Sequence, residues 1–179
     1  MKLKLDLHTH CFEATGQVAP TEDIVRQIIA AVKARGLDGI AITEHEDKSY
    51  GYRVKEIVDH YFASEILVIP GQEIVVAEMA WAEVVELYLP GEVTFRFLPH
   101  PSYPYPGDFS YGVDLLHGIE IRNYLHDRQL NKPKIREVAQ KHHLLLLENS
   151  DAHSLSNIGA YYNEIDLEEL YHRANQGLR

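Results

Sequence analysis

Five short apolar stretches of this chain run straight into histidines or acids, and that recurrence constrains the fold more than any other feature. Lys2 to Asp6 alternates as a strand, with Leu3, Leu5 and Leu7 on one face and Asp6, His8 and His10 on the other. Gly39 to Thr43 leads into Glu44-His45, Ile66 to Ile69 into Pro70-Gly71-Gln72-Glu73, Val93 to Leu98 into His100, and Leu144 to Leu147 into Asp151-Ala152-His153. Between the stretches lie helix patterns. Over Pro20 to Arg35, Pro20, Glu22 and Asp23 suit a first turn, Ile24, Ile28 and Val32 form a stripe, and Gly36 stops it. Arg53 to Phe62 and Lys132 to His142, with Pro133 in its first turn, read the same way. Strands alternating with helices predict an α/β chain with a largely parallel sheet, whose sites form at the carboxyl ends of the strands. One polar strand end is coincidence; five delivered to one rim imply a site.

The residue types point to metal. His8-Thr9-His10 places two imidazoles on one face of extended chain, and Asp151-Ala152-His153 repeats the geometry with a carboxylate and an imidazole. Imidazole nitrogen suits borderline ions such as Zn²⁺, Mn²⁺ or Fe²⁺, and carboxylates can bridge two of them. Two ions about 3.5–4 Å apart can activate water and stabilise a leaving phosphate oxygen. Eleven histidines in 179 residues agree with this. The formal net charge of −10 argues against coating nucleic acid, which needs clustered Lys and Arg. It reads either as solubility or as carboxylates gathered around cations that the formal count omits. No apolar run reaches membrane-spanning length, and Met1 to His10 lacks the basic head of a signal peptide, so a cytoplasmic protein is expected. The lone Cys11 excludes an internal disulfide.

The remainder completes one domain over residues 1–179. Val84 to Leu89 and Val93 to Leu98 flank Pro90-Gly91 as a hairpin, and Ile119 to Ile121 is a strand. Asp166 and Glu169 have capping-box spacing for a last helix. Residues 101–112 read as a loop; its Tyr103, Tyr105 and Tyr111 either cover the rim as a lid or belong to an ordinary surface loop. Trp81 carries no functional signal. His60, His117, His126, His142, His143 and His172 fall away from the motifs and read as surface or packing residues.

The motifs carry a family resemblance over about residues 3–153. Asp6-Leu7-His8-Thr9-His10 looks like the opening motif of PHP (polymerase and histidinol phosphatase) domains. Ile42-Thr43-Glu44-His45 resembles their second motif, Pro70-Gly71-Gln72-Glu73 the Pro-Gly-x-Glu segment, His100-Pro101 the His-Pro segment, and Ser150-Asp151-Ala152-His153 the closing motif. Gly118-Ile119-Glu120-Ile121 is similar to the strand preceding another ligand position. The resemblance implies a distorted (β/α)7 barrel with two or three divalent ions, Zn, Mn or Fe, at the carboxyl rim. It implies His8, His10, His45, Glu73, His100, Asp151 and His153 as ligands, with Asp6 and Glu44 orienting imidazoles.

Two departures stand out. The family's Asp or His about five residues after the first motif is Thr15 here, and Glu13 is the candidate substitute. Asn123 stands where the strand after Ile121 often delivers a His, and Asn suits harder ions better than Zn²⁺. Lys48, Arg53 and Arg122 are candidate phosphate contacts, the alternative being plain surface cations. The urease-like amidohydrolases also open with HxH, but their bridging Lys has no counterpart between Lys55 and Lys132. The implied activity is hydrolysis of a small phosphate ester by metal-activated water, with no protein nucleophile. A catalytically silent metal-binding module and a small nuclease acting on oligonucleotides are the alternatives. Neither a membrane nor a stable nucleic-acid complex is expected, and oligomeric state is not legible.

Overall fold

The computed structural model describes residues 1–79, 82–103, 109 and 112–175. The sequence expectation of parallel pairing holds on both flanks of its sheet. Strands β1 (Leu3–Asp6), β2 (Gly39–Ile42) and β3 (Leu67–Val76) pair in parallel. So do β5 (Val93–Leu98), β6 (Gly118–Asn123) and β7 (Leu145–Asn149). Between them β4 (Ala82–Leu89) runs antiparallel to both β3 and β5. The turn at Pro90–Glu92 is too short for a crossover, so the chain reverses; Gly91 (φ 77°) and Glu92 (φ 61°) take the left-handed backbone it requires.

The sheet order is β7-β6-β5-β4-β3-β2-β1-β8, with the short β8 (Asn163–Ile165) antiparallel to β1. The ends then meet, giving a nearly closed barrel. At the carboxyl rim Asp151 N–H donates to His8 C=O (2.9 Å) and His10 N–H to Ala152 C=O (2.9 Å). Lower down a side chain closes the seam. Asn163 Oδ1 accepts from Glu148 N–H (2.9 Å), while its Nδ2 donates to Glu148 C=O (2.9 Å) and Asn149 Oδ1 (2.8 Å).

Inward positions of successive strands fill the interior with Leu5, Leu7, Ala41, Ile69, Val85, Leu87, Phe95, Phe97 and Leu147. Helix α5 (Leu167–Asn175) packs Leu167, Leu170 and Tyr171 against them. The outer helices bury one stripe each. Helix α2 (Glu22–Ala34) buries Val25, Ile28, Ile29 and Val32, and α4 (Lys132–His142) buries Ile135, Val138 and Ala139. Helix α3 (Lys48–Tyr61) starts earlier than periodicity predicts, because Asp47 caps it by accepting from Ser49 N–H (2.8 Å). Its Gly51 lies so close to the sheet that a Cβ would meet Ile42 O at 3.0 Å. One five-residue helix, α1 (Cys11–Thr15), has no periodic signal. Among the described residues no helix is long and apolar enough to cross a membrane.

Candidate metal centre

The polar strand ends converge at the carboxyl rim. His8 and His10 leave β1 side by side, both fully buried, with their Nε2 atoms 3.1 Å apart. Glu73 projects from β3 between them and two other rings. Its carboxylate lies 3.0 Å from His100 Nε2, 3.1 Å from His45 Nδ1, 3.5 Å from His10 Nε2 and 3.6 Å from His8 Nε2. Asp151, beyond β7, is the second hub, at 3.2 Å from His10 Nε2 and 3.6 Å from His8 Nε2. His45 and His153 stack on His10, with centroids 4.3 and 4.4 Å away. His153 Nδ1 donates to Asp151 C=O (2.9 Å), which fixes the tautomer and leaves Nε2 facing Glu13 at 3.3 Å. Glu13 also reaches His45 Nε2 at 3.9 Å. Four overlapping triads have ligand atoms within 4.8 Å of one another: His10/His45/His153, His8/His100/Asp151, His8/His10/Glu73 and Glu73/Glu83/His100.

Two of these residues sit in left-handed backbone, Asp151 (φ 54°) and His100 (φ 26°). Asp tolerates that region, whereas a His held there between Pro99 and Pro101 is strained to aim its ring.

The electrostatics are those of a cation site. Among the described residues, every ion-pair partner of Glu73, Glu83, Glu120 and Asp151 is an imidazole. Burial opposes ionisation of Glu73 and Asp151, but the surrounding His8, His100, His45 and His10 hold both carboxyls below their usual range. Burial likewise opposes charging of His8, and the Asp151, Glu73 and Glu120 charges raise it well above an ordinary imidazole. His10 goes the other way, to about 4, because burial outweighs its carboxylate neighbours. Buried carboxylates without Lys or Arg, and Nε2 atoms facing each other at 3.1 Å, are satisfied by cations between them. The donor set fits divalent ions.

The expected residues fare unequally. His8, His10, Glu13, His45, Glu73, His100, Asp151 and His153 form one continuous network. Thr15 is turned away, its hydroxyl donating to Cys11 C=O (2.8 Å). Asn123 is not placed as a ligand. Its Oδ1 accepts from His126 N–H (2.9 Å) while its Nδ2 donates to Glu120 (2.9 Å) and Asp151 (3.2 Å). Among the described residues Asp6 and Glu44 touch no imidazole nitrogen and orient none. Asp6 accepts from Ser150 N–H (3.1 Å), the Ser150 hydroxyl and Gly159 N–H (2.9 Å), tying β1 to the segment after β7. Glu44 accepts from Phe12 N–H (2.8 Å) and so caps α1. Arg122 is committed to Glu148 (3.0 Å) and stacked on the Tyr161 ring at 3.8 Å. Lys48 lies over the Tyr88 ring at 5.6 Å, and Arg53 is exposed on α3.

Three participants are not singled out by sequence reasoning. Glu120 orients His8, with Oε1 3.1 Å from Nδ1, and also accepts from His100 N–H (2.8 Å) and Asn149 Nδ2 (2.8 Å). An acid inside the apolar strand Gly118–Ile121 was its available signal. His126 is no ordinary surface histidine, since its Nε2 lies 3.6 Å from Asp151 and its ring packs edge-on to His100. Glu83 lies 3.9 Å from His100 Nε2. Tyr103 stacks on His126 with centroids 3.8 Å apart. Tyr105, Tyr111 and Trp81 lie outside the described residues.

Comparison with known proteins bears on this arrangement. Residues 130–171, from before α4 into α5, match a family model described as PHP-associated. No curated protein matches the chain. Among solved structures it resembles PsfC from Pseudomonas syringae PB-5123 (TM-score 0.67, 15% identity, covering 94% of this chain and 87% of that one). A candidate metal-dependent phosphoesterase from Bifidobacterium adolescentis ATCC 15703 is similar (TM-score 0.67, 13% identity, 98% and 96% covered). So is an amidohydrolase from Chromobacterium violaceum solved with bound sulfate and no metal (TM-score 0.64, 13% identity, 94% and 96% covered). The chain thus shares the barrel fold of these structures, and its matched segment is similar to a PHP-associated one.

Proposed function

We propose that this domain is a metal-dependent hydrolase of small phosphate esters. The observation that carries the reading is the pair of hub carboxylates, Glu73 and Asp151, each facing several imidazoles with no Lys or Arg partner among the described residues. His8, Glu73, His100, His126 and Asp151 would hold ions on the inner side, and His10, His45, His153 and Glu13 on the outer side. Divalent ions bound there supply Lewis acidity toward phosphate oxygens and make water more acidic. The names of the Bifidobacterium and Chromobacterium neighbours support hydrolysis as the reaction class.

The chain's own residues have three tasks. Glu120 and the Asp151 carbonyl fix the ring orientations of His8 and His153 through their other nitrogens. The buried inner residues exclude water from one side, while the half-exposed His45 and His153 border the open side where substrate enters. Among the described residues no side chain is arranged as a covalent nucleophile; burial, reinforced by Glu44, pushes the Cys11 thiol far above a reactive range. A small substrate is favoured over a polymer. Polymer binding needs a track of cations, and Lys48 and Arg122 are engaged with Tyr88 and with Glu148 and Tyr161.

The test is a panel of phosphomonoesters and short oligonucleotides, assayed on protein reconstituted separately with Mn²⁺, Zn²⁺, Fe²⁺ and Mg²⁺. Turnover of monoesters that disappears with chelator and returns with metal is expected. Full metal occupancy without turnover on any substrate would instead make the domain a metal-binding module.

A further inference from the structure

The two sides of the cluster differ in donor chemistry, and the difference originates in the antiparallel middle of the barrel. Along β4 the inward positions alternate, with Val85, Leu87 and Leu89 filling the apolar interior. The next inward position toward the rim is Glu83, paired in register with Val75, just above the pair Glu73↔Val85. Strand periodicity therefore delivers a carboxylate to the same rim as the ligand motifs. A parallel β4 would bring its opposite end there. Glu83 lies 3.9 Å from His100 Nε2, and its carboxylate, that of Glu73 and the His100 ring nitrogen fall within 4.8 Å of one another. No Lys or Arg pairs with either acid among the described residues. Two like charges this close repel unless a cation or a proton lies between them. On the far side the corresponding triad, His10, His45 and His153, is all nitrogen.

We propose that Glu83 makes the Glu73/His100 side oxygen-rich and so selects a harder ion there, such as Mn²⁺, while the His10/His45/His153 side takes a borderline ion such as Zn²⁺. Carboxylate oxygen suits Mg²⁺ and Mn²⁺, and imidazole suits Zn²⁺. Glu73 and Asp151 also reach the second side, at 3.1 Å from His45 Nδ1 and 3.2 Å from His10 Nε2, so the difference between the sides is Glu83 with one imidazole on the first against three imidazoles on the second. The inference rests on the metal-centre reading above and assigns Glu83 as the residue that sets ion preference.

The experiment is calorimetric titration of chelator-stripped protein with Mn²⁺ alone and with Zn²⁺ alone, alongside the Mn²⁺ paramagnetic resonance signal. Wild type is compared with Glu83→Gln, Glu83→Asp and His153→Ala. Glu83→Gln should weaken the tightest Mn²⁺ site about tenfold or more, the loss typical of groups around a metal, with Zn²⁺ affinity changed much less. Glu83→Asp, which retracts the carboxylate, should fall between, and His153→Ala should show the reverse selectivity. Because Glu83 stands at a partly exposed rim, unaltered circular dichroism is expected of its variants. Unchanged Mn²⁺ binding in folded Glu83→Gln, or equal weakening of both metals, overturns the assignment of Glu83 and leaves the metal centre standing. Wild-type protein that binds neither metal overturns both.

Discussion

The Glu13 carboxylate lies 3.3 Å from His153 Nε2 and 3.9 Å from His45 Nε2, on the open side of the cluster. Removing it strips one carboxylate from the end where three imidazoles gather. Glu13→Ala should lower affinity for the ion there roughly tenfold, measured as metal content after dialysis. Thr15→Ala, which loses a helix-internal hydroxyl bond, should leave metal content unaltered; a larger effect at Thr15 would contradict the placement. Glu44 makes a prediction in pH. Burial raises its carboxyl to about 7 against hydrogen bonds from the Phe12 and Cys11 N–H groups. An acid whose folded pKa exceeds its unfolded 4.5 binds its proton more tightly when folded. Its contribution is therefore full below about 4.5 and is lost as pH rises through about 7. In metal-free protein, wild type should lose up to roughly 3 kcal/mol relative to Glu44→Gln across that window. Urea midpoints that fall in parallel for the two proteins would refute it.

Asn163 does for the barrel seam what a strand backbone does elsewhere. It offers one donor and one acceptor to Glu148 and a second hydrogen to Asn149. Asn163→Ala orphans those groups at a largely buried position and should cost about 2–4 kcal/mol by urea denaturation. Asn163→Asp should not rescue, because its carboxylate would face the Glu148 carbonyl and Asn149 Oδ1. Such elements were the least legible in the sequence. Strands β2, β5 and β7 announce themselves as short apolar runs, and helices α2 and α4 by a periodic buried stripe. The three-residue β8 is too short for a period and acts through a side chain. Helix α1 exists because Glu44, distant in sequence, caps it. The same limit explains Asp6 and Glu44. Their adjacency to His8 and His45 is visible in the sequence, but whether a carboxylate turns to an imidazole or to a backbone amide is decided by what packs around it. The ligand-type residues themselves were readable, since strand ends carry them to one rim whatever the details of the sheet. His126 lay on a turn without motif or period, so only its three-dimensional neighbours reveal it.

For the molecule as a whole, bound ions and folding stability are linked. Ions that bind the folded chain alone stabilise it by about 4 kcal/mol at a thousandfold excess over Kd. Chelation should therefore lower the thermal midpoint by many degrees, and readdition of Mn²⁺ or Zn²⁺ should restore it. The double variant His8→Ala with Asp151→Ala should melt at one temperature with or without chelator and carry little metal by elemental analysis. A chelator response in that variant equal to wild type would move the ions elsewhere. The seam at the rim adds a constraint in time. The hydrogen bonds that join Asp151 to His8 and His10 to Ala152 also fix the distance between the first and last ligand pairs. His8 and His10 are synthesised well before their partners, which arrive only after β7. Full coordination of an ion there thus waits for the segment after β7, which makes a holo state a report that the barrel has closed.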